Sequence, residues 1–140
     1  MKAIRSAKII VSDKQAQAES LIRVLTQAGF TIRLARTGTE ILTWAADNVD
    51  AVVLDINLPD VNGFEVCRRL KAHASTAHIA VVFVSSLYGI AEGASIASHL
   101  GAVAYLTKPV ESRDLVNVIN LAICREDLQA QRSRQAAQSA

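Results

Sequence analysis

Apolar residues along this chain follow two rhythms in turn, a strand rhythm and a helix rhythm. The run AKIIVSD (7–13) is short and apolar, as a strand is. QAQAESLIRVLTQAG (15–29) places Ala18, Leu21, Ile22, Leu25 and Ala28 on one helical stripe and stops at Gly29. FTIRLA (30–35) alternates, with Phe30, Ile32 and Leu34 on one face, in the manner of an edge strand. GTEILTWAADN (38–48) reads as a helix with Ile41, Leu42 and Ala45 inward, and AVVLD (51–55) as a wholly apolar strand. GFEVCRRLKAH (63–73) is helical, with Phe64, Cys67 and Leu70 facing the core and Arg68, Arg69 and Lys71 on a solvated side. IAVVFVSS (79–86) is the most apolar strand, and IAEGASIASHL (90–100) is a helix with a weak stripe and many small residues. AVAYLTK (102–108) is the last strand and SRDLVNVINLAICREDLQ (112–129) the last helix.

Strand and helix therefore alternate five times. Apolar, β-branched strands need cover on both faces, which implies an α/β fold: a parallel, doubly wound sheet with helices on both sides and right-handed crossovers. In such sheets function gathers beyond the carboxyl ends of the strands, near the reversal of strand order. The domain is expected over residues 5–125. Residues 126–140 have no apolar face worth burying and read as a helical extension, a linker or a tail.

Composition narrows the functional classes. Hydrophobic residues make up 51% and charged residues 20%, as in an ordinary globular domain. A formal charge of +2 is too small to argue for nucleic acid, and 4% aromatics leave little for base stacking. No apolar run approaches the roughly 20 residues needed to span a bilayer. Cys67 and Cys124 stand far apart, which suits reduced thiols in a cytoplasmic protein. His73, His78 and His99 lack metal-ligand spacing.

The strand ends collect a different set of side chains: Ser12 and Asp13, then Asp55, then Ser85 and Ser86, then Lys108. Two aspartates a few ångströms apart repel by a few kcal/mol, roughly, at an effective dielectric near 20. A hard, oxygen-seeking cation such as Mg²⁺ relieves that repulsion, and Lys108 adds a point charge suited to a phosphoryl oxygen. Each residue alone could be a strand terminus or a helix cap.

In IIVSD (9–13), VVLDINLPDVNGFEVCRRLK (52–71), VVFVSS (81–86) and GAVAYLTKP (101–109) the chain resembles the receiver domain of two-component response regulators. The resemblance implies a flavodoxin-like, five-stranded sheet in the order 2-1-3-4-5. It implies that Asp55 accepts a phosphoryl group from the histidine of a partner kinase or phosphotransfer protein. Asp13, Asp55 and the backbone carbonyl of Asn57 would hold Mg²⁺. Ser85 would bond the phosphoryl group, Lys108 would pair with it, and Tyr105 would follow the switch. Pro59 and Gly63 would shape the loop after Asp55, and a cis bond before Pro109 would aim Lys108.

The family usually has two acidic residues where this chain has Ser12 and Asp13. A serine there can orient a metal-bound water but brings one charge fewer, which implies weaker Mg²⁺ binding. Rival readings are a degenerate receiver that only docks, and a phosphatase with DIN (55–57) as its nucleophile motif. The phosphatase would want an aspartate at Asn57. A nucleotide-binding fold is disfavoured because SDKQAQA (12–18) has no glycine to cradle a phosphate. Pairing of two copies through the fourth helix, fifth strand and fifth helix stays open, as does an output domain beyond the C-terminus. No output domain fits within the 140 residues.

Overall fold

The computed structural model describes residues 7–12, 17–85, 90–108 and 110–139. Asp13, Ser86 and Pro109, with the expected cis bond, lie outside the described residues.

Ten elements alternate: β1 (Lys8–Ser12), α1 (Gln17–Gln27), β2 (Thr31–Ala35), α2 (Gly38–Trp44), β3 (Ala51–Leu54), α3 (Gly63–Ala72), β4 (Ala80–Ser85), α4 (Ile90–His99), β5 (Ala104–Thr107) and α5 (Ser112–Ser139). The strands form one parallel sheet in the order β2-β1-β3-β4-β5, as expected. Every residue of β3 and β4 is buried, because helices cover both faces.

Strand periodicity divides the core in two. Ile10, Val52, Leu54, Val81 and Phe83 point to the face covered by α2, α3 and α4, where they meet Ile41, Val66, Leu70 and Ala97. Their neighbours Ile9, Val11, Val53, Val82 and Val84 point to the face of α1 and α5 and meet Leu25, Leu115 and Ile119. Phe64 stacks edge-on against Phe83 with ring centroids 5.2 Å apart. Burial pushes the Cys67 thiol up to about 11, so it packs as a small protonated hydrophobe.

The clearest departures from the sequence expectation are in α2, in β5 and at one side chain, while α5 takes up residues for which a helical extension is one reading. α2 ends at Trp44, four residues early: the chain turns through Ala45–Asn48, with Asn48 at φ 58°, so that Val49 reaches the core. β5 starts at Ala104 instead of 102, and α5 continues past 129 to Ser139. Lys71 is no solvated cation. Its ammonium donates to the carbonyls of Ala77 (2.9 Å) and Ile79 (2.7 Å), stapling the turn between α3 and β4. Arg68 and Arg69 do lie exposed, paired with Glu65, whose carboxyl they hold at about 2.

Candidate functional site

Asp55 follows β3 by one residue, beyond the last registered pair on either side, Val11↔Val53 toward β1 and Leu54↔Phe83 toward β4. No ladder fixes it, so other groups must. Its amide donates to the Ser12 hydroxyl at 2.9 Å, and that hydroxyl donates in turn to the Val53 carbonyl at 3.3 Å. Ser12, at the end of β1, is only 4% exposed.

The carboxylate is held from two directions. Lys108, just after β5, brings its ammonium to 3.0 Å from Asp55 Oδ2, and each side chain is 18% exposed. The amide of Asn57 donates to Asp55 Oδ1 at 3.1 Å. Ser85 ends β4 buried, opposite Thr107 in the register, and its carbonyl accepts from the Lys108 amide at 3.2 Å. The β4–β5 pairing thus carries Ser85 and Lys108 to the same rim as Asp55. Tyr105 lies further back on β5, half-buried, with its ring 6.4 Å from that of Phe83 and against Gly93 of α4.

The loop from Asp55 to Gly63 folds tightly on itself. Gly63 donates to the Ile56 carbonyl at 2.7 Å, and a Cβ on Gly63 would stand 2.3 Å from the Asp55 carbonyl oxygen. Asn62 caps α3 by accepting from the Phe64 amide at 2.8 Å. Pro59 is exposed in the same loop.

Sequence reasoning missed Asp60. Its carboxylate reaches across to the start of α2 and accepts from the Gly38 amide (2.8 Å), the Thr39 amide (3.0 Å) and the Thr39 hydroxyl (2.6 Å). The Thr39 hydroxyl, then the surrounding amides, hold its carboxyl well below the usual carboxylate range. The signal was the acidic residue after Pro59, but its partners lie 21 and 22 positions away in sequence.

The rim therefore brings together a carboxylate, an ammonium paired with it, and a buried hydroxyl-bearing residue. Among the described residues no three His, Cys, Asp or Glu side chains converge as metal ligands. The donors that are described, the Asp55 carboxylate and the Asn57 carbonyl, are hard oxygens. That chemistry fits a hard divalent cation, which takes one or two carboxylates and keeps several waters.

Residues 9–120 match the Response regulator receiver domain family. Response regulator MprA of Mycobacterium ulcerans is 34% identical over 122 residues, covering 86% of this chain and 51% of that protein. Response regulator PleD of Caulobacter vibrioides is 38% identical over 109 residues, covering 76% of this chain and 24% of that protein. The chain thus spans about half or less of the length of these curated relatives. Among solved structures, a receiver domain protein from Clostridium thermocellum is 31% identical with a TM-score of 0.77, covering 88% of this chain and 98% of that one. A CheY-like receiver domain protein from Methanospirillum hungatei is 27% identical with a TM-score of 0.77, covering 89% and 98%. With the order β2-β1-β3-β4-β5 and Asp55 at the rim, the match leaves one assignment: this chain belongs to the response regulator receiver domain family.

Proposed function

We propose that the chain is a phosphorylation-driven switch that takes a phosphoryl group onto Asp55 from the phosphohistidine of a partner kinase or phosphotransfer protein. The observation that carries this reading is the ion pair of Asp55 with Lys108 at the carboxyl rim of the sheet. An oxygen of the Asp55 carboxylate attacks phosphorus, the P–N bond breaks, and the imidazole nitrogen leaves with the bonding pair. Lys108 balances charge on the carboxylate before transfer and on the phosphoryl oxygens after it. The Asn57 amide, on the other carboxylate oxygen, limits rotation of the nucleophile. Ser85 supplies the hydroxyl that bonds the phosphoryl group, and Tyr105 on the neighbouring strand β5 follows that movement. Slow attack of water on the phosphorus releases inorganic phosphate and resets the switch.

Asp13, Asp55 and the Asn57 carbonyl would hold Mg²⁺, which lowers the repulsion between two anions as they approach. A neutral Ser12 leaves that site one charge short, so Ser12→Asp is expected to tighten Mg²⁺ binding in a calorimetric titration. No helix among the described residues is long and apolar enough to cross a membrane, and a cytoplasmic setting suits the free Cys67. Docking of a second copy on α4, β5 and α5 would cover exposed apolar side chains that include, among the described residues, Ile96 on α4 and Leu121 on α5.

The test is intact mass after incubation with acetyl phosphate and Mg²⁺. The expected result is a gain of one phosphoryl group that is absent in Asp55→Asn. No gain at any Mg²⁺ concentration would replace the switch by a docking module.

A further inference from the structure

We infer that Ser12 is a positioning residue for the phosphoacceptor, acting through the backbone of Asp55 and not through the metal. This rests on the reading of Asp55 as the nucleophile. The strand ladders end at Val11↔Val53 and Leu54↔Phe83, so the amide of Asp55 has no registered strand partner. The Ser12 hydroxyl fills that place. It accepts from the Asp55 amide at 2.9 Å and donates to the Val53 carbonyl at 3.3 Å, spanning the two residues on either side of Leu54.

A hydroxyl does both through a single atom. A carboxylate at position 12 could accept from the amide but has no proton for the Val53 carbonyl, and a methyl group could do neither. The bridge is 4% exposed, so water is a poor substitute for either bond. On the far side of the same residue, the Asp55 carbonyl oxygen stands where a Cβ on Gly63 would come within 2.3 Å. The backbone of the nucleophile is thereby gripped between β1 and the start of α3. Lys108 and Asn57 can then orient a carboxylate whose root does not move. The hydroxyl's proton is directed to a carbonyl. The residue that marks this chain as one charge short is thus the one that holds its nucleophile in place.

The experiment compares wild type, Ser12→Ala and Ser12→Thr by three measurements. Amide hydrogen exchange at Asp55, followed by NMR without phosphodonor, should be slow in wild type and at least about tenfold faster in Ser12→Ala. The rate of phosphorylation by acetyl phosphate should fall about tenfold in Ser12→Ala, as expected of a displaced nucleophile. The calorimetric Kd for Mg²⁺ should stay within about twofold, because no charge has changed. Ser12→Thr, which keeps the hydroxyl, should restore both exchange protection and rate. An Asp55 amide that is unprotected in wild type overturns the proposal, even if Ser12→Ala fails to fold. So does a Mg²⁺ Kd that rises in step with the lost rate, which would place the hydroxyl on a metal-bound water. Failure of wild type to take up phosphate would remove the switch reading instead, while hydrogen exchange would still decide whether the bridge exists.

Discussion

Gly63 and Gly93 are both buried at the start of a helix, yet their surroundings are opposite in kind. A Cβ at Gly63 would meet backbone: the Asp55 carbonyl oxygen at 2.3 Å and the Ile56 Cα at 2.7 Å. The three atoms nearest a Cβ at Gly93 would all belong to the Tyr105 side chain, with its Cζ at 2.1 Å. Backbone pinned by a central strand has nowhere to go, whereas a ring can turn about its χ1 bond. The loop after β3 is also cross-linked by Ser12, Asp60 and Asn62, and α4 has no comparable set of bonds among the described residues. A cavity of about 460 Å³ lies against α4, lined in part by Ala94, Ala97, Ser98 and Tyr105. The proposed chemistry thus falls where nothing yields, and the proposed response where something can.

The severest way to probe the rigid side is Gly63→Ala. Overpacking against fixed backbone should cost about 3 kcal/mol in urea unfolding. Phosphorylation should fall with it, because Asp55 has to shift to make room. A cost under about 1 kcal/mol would mean that the loop yields as readily as the Tyr105 ring, and the contrast would be lost.

Asp60 probes the same loop more gently. Replacing it with Ala removes three bonds to the start of α2, where it acts as a cap supplied from another loop. About 1 kcal/mol is expected, the ordinary worth of a helix cap, since the group is exposed and screened. Its carboxyl lies below the unperturbed value of 3.8, so its contribution is complete above that pH and is lost as pH falls below it. Wild type and Asp60→Ala should therefore differ most in urea midpoint at pH 7, and the gap should narrow as pH falls from about 4 toward 2. A gap that does not narrow over that range would assign the effect to something other than the charged form.

Much of this architecture was legible because burial imposes a period. Val52, Val53 and Leu54 announced a central strand, and Ile41 with Ala45 a helix face, through spacing alone. The strand ends then gave Asp55, Ser85 and Lys108 as one rim, since a parallel sheet points every carboxyl end the same way. What stayed illegible were bonds from one side chain to another element's backbone. Ser12 to Asp55, Asp60 to Gly38 and Lys71 to Ile79 follow no period and depend on where loops cross. Lys71 shows the cost of reading charge as solvation: its stem and ammonium are spent inside a turn. The length of α5 stayed open between helix and linker for the opposite reason, because a polar stretch can continue a helix with no apolar stripe to reveal it.

Gly93→Ala should have the smallest effect on stability and the sharpest effect on one side chain. Alanine is favoured over glycine within a helix by about 1 kcal/mol. Against that, the new methyl displaces Tyr105, whose ring packs toward Phe83 at 6.4 Å, and aromatic pairs of this kind are worth about 1 kcal/mol. The two nearly cancel, so the urea midpoint should shift by less than about 1 kcal/mol in either direction. The Tyr105 ring resonances should nonetheless move, because the only way to seat the methyl is to swing the ring off α4. A melt as damaging as that of Gly63→Ala, with the Tyr105 resonances unchanged, would show that α4 is as fixed as the loop after β3. An unchanged melt with displaced resonances would show that the Tyr105 ring changes rotamer at little cost, as the proposed switch requires.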